Sequence, residues 1–406
     1  MFDLSPRLKT SYSAIALIFI LLSLFTIFTH IPKESFFARQ ADEGYYLKYS
    51  QQIFENGLGT YPQILENHVA IKNNWIWPSP LRVGYFLLSS TWFYICGASF
   101  VSLAYLSLFC FLLFLAVSFY FSRKYFGPAI GILYTMLLAF SPINMAMAKR
   151  ALTDATGNLF TALSIWLFFE FLIKKKKLNF IIWLACFSYT ILVREQSLLL
   201  VFGFGFIFLL YRYYYKEDIS LKYLIPMAIV PPVIVVTTWL IFCQSPANIL
   251  FMLKLTRYLP SVNNYSVMFC RGPWFRYIVD YILVSPLTSI CALSFAVYAF
   301  FERSALKNFK AAYFLILFVI FYLLLSSFDY NKNIRYAINI DMFLRFFLVF
   351  FVYDLFKNHK EGIKIVFWMM VIFCVMDYGN FVFLFCNKGI YDPISFHLLT
   401  ARRFIP

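Results

Sequence analysis

Hydrophobic positions in this chain come in long unbroken runs rather than in the alternation of a sheet or the one-sided stripe of a soluble helix. The runs cover roughly 12–30, 83–99, 101–121, 128–146, 155–173, 179–193, 197–213, 223–242, 278–300, 311–327, 336–355 and 363–386. A helix needs about 20 mainly apolar residues to cross about 30 Å of hydrocarbon, so the pattern predicts an all-α polytopic membrane protein. The first run, Tyr12 to Thr29, follows Arg7 and Lys9. It is long for a signal peptide and no small-x-small cleavage site follows it, so a retained first span is expected.

The polar punctuation decides which runs cross. With run 83–99 left out, one side of the membrane receives every cluster of basic residues. These are Arg7 and Lys9, Arg123 and Lys124, Lys174 to Lys177, Arg212 with Lys216 and Lys222, Arg303 with Lys307 and Lys310, and Lys357 with Lys360 and Lys364. That is the positive-inside pattern. With run 83–99 crossing, the Lys174–Lys177 cluster would face outward. The expectation is therefore about eleven transmembrane helices, N-terminus inside and C-terminus outside, with 83–99 lying at the outer interface. Two large outer segments result, 31–100 and 243–277. Residues 1–386 read as a single membrane-embedded domain and 387–406 as a short outer tail.

Composition agrees. Of 406 residues, 62% are hydrophobic and 13% charged, against roughly 25% charged in a typical soluble domain. The net charge of +16 would suggest nucleic acid in a soluble protein. Here inner-loop bias and anionic lipid headgroups account for it, and no nucleic-acid partner is expected. The eight Cys contain no C-x-x-C, although Cys243 and Cys270 flank the second outer segment and could pair. His30, His68, His359 and His397 are dispersed without metal-ligand spacing. No Walker loop, G-x-G-x-x-G or G-x-S-x-G occurs.

The candidate chemistry sits in the outer segments. Residues 41–56, ADEGYYLKYSQQIFEN, place Tyr45 or Tyr46, Tyr49, Ile53 and Phe54 on one helical face. Gly57 is a plausible stop. Asp42 and Glu43 fall in the first turn, where the helix dipole favours carboxylates. That alone would explain them. Their position after the first span, in a chain poor in acids, makes them functional candidates as well. Lys149, Arg150, Arg194 and Arg335 stand at outer ends of predicted spans, where the positive-inside rule makes cations unexpected. They suit a phosphate at headgroup depth. Snorkelling would also place Lys149 and Arg150 there, and Arg194 could instead pair with Glu195.

The first span followed by an outer Asp-Glu-x-x-Tyr, here Asp42, Glu43 and Tyr46, resembles the GT-C class of integral membrane glycosyltransferases. That class includes aminoarabinose transferases and protein O-mannosyltransferases. The Pro-rich Trp77-Pro78-Ser79-Pro80-Leu81 resembles the class's His-Pro-Pro-Leu, without its His and one of its adjacent prolines, so no role for that His transfers. Ala148-Lys149-Arg150-Ala151-Leu152-Thr153-Asp154, after the third span, resembles the class's Arg-x-x-x-x-Asp segment in the second outer loop. Arg335-Tyr336 resembles an Arg-Tyr at a late span. The likeness covers most of residues 10–215 in layout and is sparse afterwards.

The resemblance implies transfer of a sugar from a polyprenyl-phosphate-linked donor to a lipid, glycan or protein acceptor at the outer face, taken as inverting. Asp42 would be the general base, with Glu43 orienting the acceptor and Tyr46 positioning substrate. Asp154 would hold acceptor or sugar, or share a divalent metal with Asp42, since metal use differs within the class. Lys149, Arg150, Arg194 and Arg335 would meet the leaving phosphate. A bacterial inner membrane is the expected home. The alternative is a polytopic transporter or lipid flippase, but the acids gather at outer ends rather than on broken midplane helices in repeated halves.

Overall fold

The computed structural model describes residues 6–33, 42–301, 309–330, 332–356, 358–359, 361–391, 394–395 and 398. Arg303, Lys307, Lys357, Lys360, His397, part of the first outer segment (34–41) and most of the tail lie outside the described residues.

All regular structure among the described residues is helical. Six helices are long and apolar enough to cross a membrane: Tyr12–Thr29, Phe100–Phe126, Asp154–Lys174, Glu195–Tyr213, Leu221–Cys243 and Gly362–Asn387. The pair Pro128–Ala139 and Pro142–Ala148, bent by 63°, makes a seventh if it is one broken span. This is fewer than the eleven expected. Four runs fold into shorter apolar helices, Val83–Cys96, Lys177–Val193, Pro286–Ala299 and Ala312–Ser326. Seventeen helical residues rise only about 25 Å and fourteen about 21 Å. A fifth run, Asn339–Phe356, carries Asp341, Arg345 and Asp354.

The chain divides into two compact units. One comprises Met1–His30, Leu112–Ala148 and Gly272–Pro406. At its core the helix Asn339–Phe356 is buried nearly throughout its first half, packed among Pro286–Phe301, Pro128–Ala139 and Gly362–Asn380. Phe346 meets Phe314 at 4.3 Å and Tyr134 at 5.4 Å between ring centres. Arg345, fully buried, binds Asp341 and Asp377 at 2.8 Å each and the Leu137 carbonyl at 2.9 Å. Asn144 donates to Asp341 at 3.0 Å and Thr288 to Asp377 at 3.2 Å. Every charge at the centre of this unit is therefore paired, the condition for keeping charge away from water.

The other unit comprises Ile31–Phe111 and Lys149–Arg271. Its core pairs Asp154–Lys174 with Lys177–Val193, sealed by Trp166, Trp183, Phe168 and Phe187. The first outer segment folds onto this pair. The helix Asp42–Asn56 matches the sequence expectation and ends at Gly57, whose φ of 75° suits glycine. It packs on Val83–Cys96, joined by a Ser50–Ser89 hydroxyl contact at 2.6 Å. Val83–Cys96 in turn lies hard against the end of Lys177–Val193. A Cβ on Gly84 would meet Leu192 Cβ at 3.0 Å and the Val193 nitrogen at 3.1 Å. Cys243 and Cys270 are both buried and free, so the pairing considered from the sequence does not occur.

Candidate active site

The site is built from four pieces of the second unit. The first is the opening turn of Asp42–Asn56. Glu43 is fully buried and Asp42 only partly. The second is the Pro-rich entry, which is pinned at three points. Tyr45 stacks on Trp77 at 5.0 Å, the Tyr61 hydroxyl donates to the Pro80 carbonyl at 2.5 Å, and the Trp239 indole donates to the Leu81 carbonyl at 2.8 Å. These contacts fix the residue that follows, Arg82. The third is the Lys149–Asp154 turn, and the fourth is the extended Arg194 with the short 3₁₀ helix Glu195–Leu199.

Charges pair across these pieces. Glu43 takes the Arg150 guanidinium and the Ala151 N–H, the latter at 3.2 Å. Asp154 meets Arg194 at 3.4 Å. Arg82 Nε donates to both oxygens of Glu195, at 3.0 and 3.3 Å. Arg82 Nη1 reaches the Tyr46 hydroxyl and Thr153 Oγ1, the latter at 3.4 Å. Tyr46 and Thr153 exchange a hydrogen bond at 3.3 Å. Four acids (Asp42, Glu43, Asp154, Glu195) are thus set among four cations (Arg82, Lys149, Arg150, Arg194). Lys149, Arg150, Arg194 and Asp154 are all buried.

Burial pushes the Tyr46 hydroxyl above the usual phenol range. The Arg82 charge pulls it back, and the charges of Asp42 and Asp154 push it further up. Two carboxylates from segments more than a hundred residues apart are therefore felt at one phenol. Tyr85, buried beside it, is pushed well up too, with Glu43 and Asp154 contributing.

Of the residues picked from sequence, Asp42, Glu43, Tyr46, Arg150, Asp154 and Arg194 fall within this network, and Lys149 adjoins it in the same turn. Arg335 belongs to the first unit, on the 3₁₀ turn Ile334–Ala337, where the Asn333 side chain accepts from its backbone N–H at 3.0 Å. Arg194 pairs with Asp154 rather than with Glu195. Sequence reasoning missed Arg82, Thr153 and Glu195. Arg82 carried a usable signal, being a cation directly after the Pro-rich motif at the outer end of a predicted interfacial helix. Among the described residues no three His, Cys, Asp or Glu side chains are grouped to hold a metal.

This helical fold has known counterparts. Residues 80–242 match the family described as dolichyl-phosphate-mannose-protein mannosyltransferase. The fold is similar to ArnT from Cupriavidus metallidurans bound to undecaprenyl phosphate, with TM-score 0.59 and 14% identity, over 93% of this chain and 73% of that one. It is also similar to the Archaeoglobus fulgidus oligosaccharyltransferase in complex with Zn and sulfate, with TM-score 0.56 and 12% identity, over 90% of this chain and 52% of that one. Curated protein sequences give no match. The match to the mannosyltransferase family model covers residues 80–242 of the 406, and the likeness of fold to these membrane enzymes extends over most of the chain. The matched stretch, Pro80 to Phe242, carries Arg82, Asp154 and Arg194.

Proposed function

We propose that this enzyme transfers a sugar from a polyprenyl-phosphate-linked donor to a lipid, glycan or protein acceptor at the outer face of a bacterial inner membrane. The observation that carries this is the cluster in which Asp154 pairs with Arg194, Glu43 next to Asp42 pairs with Arg150, and Arg82 reaches Tyr46 and Thr153. The ArnT counterpart is bound to undecaprenyl phosphate, and an A. fulgidus oligosaccharyltransferase structure carries a tethered acceptor peptide. The first supports a lipid-phosphate donor, the second concerns the acceptor, and the acceptor class of this chain stays open to assay.

In this reading Asp42 is the general base. It is the more exposed acid of the pair, placed to take a proton from an acceptor hydroxyl or amine as that atom attacks the sugar C1. The bond from C1 to the phosphate oxygen breaks on the opposite side, inverting C1. Glu43, locked by Arg150, orients the first turn. Asp154, held by Arg194, fixes sugar or acceptor, and Tyr46 positions substrate. Lys149, Arg150 and Arg194 are the proposed cations for the leaving phosphate, where fixed positive charge lowers the barrier. Arg150 does so while engaged with Glu43. No step is assigned to a metal. The proposed layout keeps eleven crossings and one functional domain over residues 1–386, with Lys177–Val193, Pro286–Ala299 and Ala312–Ser326 crossing where the bilayer thins locally and Val83–Cys96 at the interface.

Sealed vesicles of defined orientation, given polyprenyl-phosphate sugars and acceptors from one side, test this. Asp42→Asn should lower transfer by about 10²–10⁴-fold, and wild-type transfer should require substrates at the outer face. Undiminished transfer by Asp42→Asn would remove it as base. Substrate-stimulated flux without transfer would favour a transporter.

A further inference from the structure

Arg82 lies outside every role assigned so far, yet it bonds to Glu195, Tyr46 and Thr153. It is 14% exposed, among neighbours that are almost fully buried: Tyr46 is 1% and Thr153 3% exposed. Its Nε grips the Glu195 carboxylate through both oxygens. Its Nη1 donates to Tyr46 and Thr153, and the guanidinium carbon sits 5.9 Å from the centre of the Tyr46 ring. One planar group thus ties three segments together: the Asp42 helix, the turn leading to Asp154, and the Arg194–Glu195 turn.

We infer that Arg82 is a positioning residue that acts on the reaction through Tyr46. Tyr46 is four residues after Asp42, on the same helical face and one turn away. Besides accepting from Arg82, the phenol shares a hydrogen bond with Thr153, the residue before Asp154. The contact therefore sets the spacing between the turn that holds Asp42 and the turn that holds Asp154. A lysine keeps the charge, but a single ammonium cannot reproduce a fork that spans Glu195 and Tyr46. Misplacing a reacting group by about 1 Å costs on the order of 10²-fold in rate, which is the scale expected here. The role rests on the transferase reading above.

A double-mutant cycle tests it. Arg82→Gln and Tyr46→Phe are each expected to lower kcat by roughly 10–100-fold while donor KM moves less than about threefold. The double variant should be no slower than the slower single one. Arg82→Lys should recover little of the loss. Multiplying effects would overturn the inference, as would a raised donor KM with kcat intact, which would make Arg82 a direct substrate contact. Should Arg82→Gln fail to fold, Arg82→Lys replaces it in the cycle. A wild-type enzyme inert with every donor would sink the transferase reading instead. The Arg82–Tyr46 link is then judged by the same cycle on the unfolding midpoint, where additive shifts would refute it.

Discussion

At the scale of single residues, the outer segment holds a second buried polar pair a turn beyond the site. His68 is fully buried and its Nδ1 meets the Tyr49 hydroxyl at 2.8 Å. Among the described residues its Nε2 has no partner. Burial pulls the imidazole down to about 4, so it stays neutral in the folded protein. An unfolded His protonates near 6.5. Folded-state affinity for the proton is thus depressed, and the stability this confers is complete above about pH 6.5 and lost as pH falls toward 4. The loss should reach roughly 3 kcal/mol over that window. Unfolding midpoints in nanodiscs across pH 4–7 should show it, and His68→Phe should flatten that part of the curve. An unchanged slope in the variant would show that other groups are responsible. None of this is visible in the string of residues, because His68 sits in an ordinary amphipathic stretch and only tertiary packing buries it.

At the scale of elements, what was legible is what is local. The period of apolar positions located the Asp42–Asn56 helix and Gly57 marked its end. What was not legible is pairing at long range. Arg194 and Glu195 are neighbours in sequence but turn to different partners, Asp154 and Arg82, because an extended Arg194 followed by a 3₁₀ turn points them apart. Spacing could not predict that choice, since it depends on how closely Val83–Cys96 approaches Lys177–Val193. Gly84 sets that approach. A methyl there would press on backbone rather than on a yielding side chain. Gly84→Ala should therefore cost about 1–3 kcal/mol and lower turnover by shifting Arg82 relative to Glu195. Gly59→Ala, with open space around the added carbon, should stay within about 0.5 kcal/mol. Equal behaviour of the two variants, measured by thermal unfolding and transfer rate together, would refute a role for this close approach.

At the scale of the whole molecule, the all-helical membrane architecture followed from composition and run length, while the number of crossings did not. Hydropathy counts residues, but whether a run crosses depends on helix length, bends such as that at Phe140–Ser141, and the company that polar groups keep. The helix Asn339–Phe356 shows this most clearly. Its run looked apolar in the sequence, yet Asp341 and Arg345 lie at its buried heart. Each such charge costs about 2.5–3.5 kcal/mol at the middle of a lone inserted helix. Their remedy lies elsewhere in the chain, in Asp377 on Gly362–Asn380 and in Asn144 and Leu137 far upstream. This segment cannot settle in lipid as it leaves the ribosome. It has to wait for the last helix, so the order of synthesis becomes part of the folding problem. A chain stopped after Phe356 and fused to a glycosylation reporter should leave the segment largely uninserted, whereas a chain reaching residue 391 should insert it. Equal insertion of both would mean that upstream partners suffice, and that this enzyme assembles its membrane core as it is made.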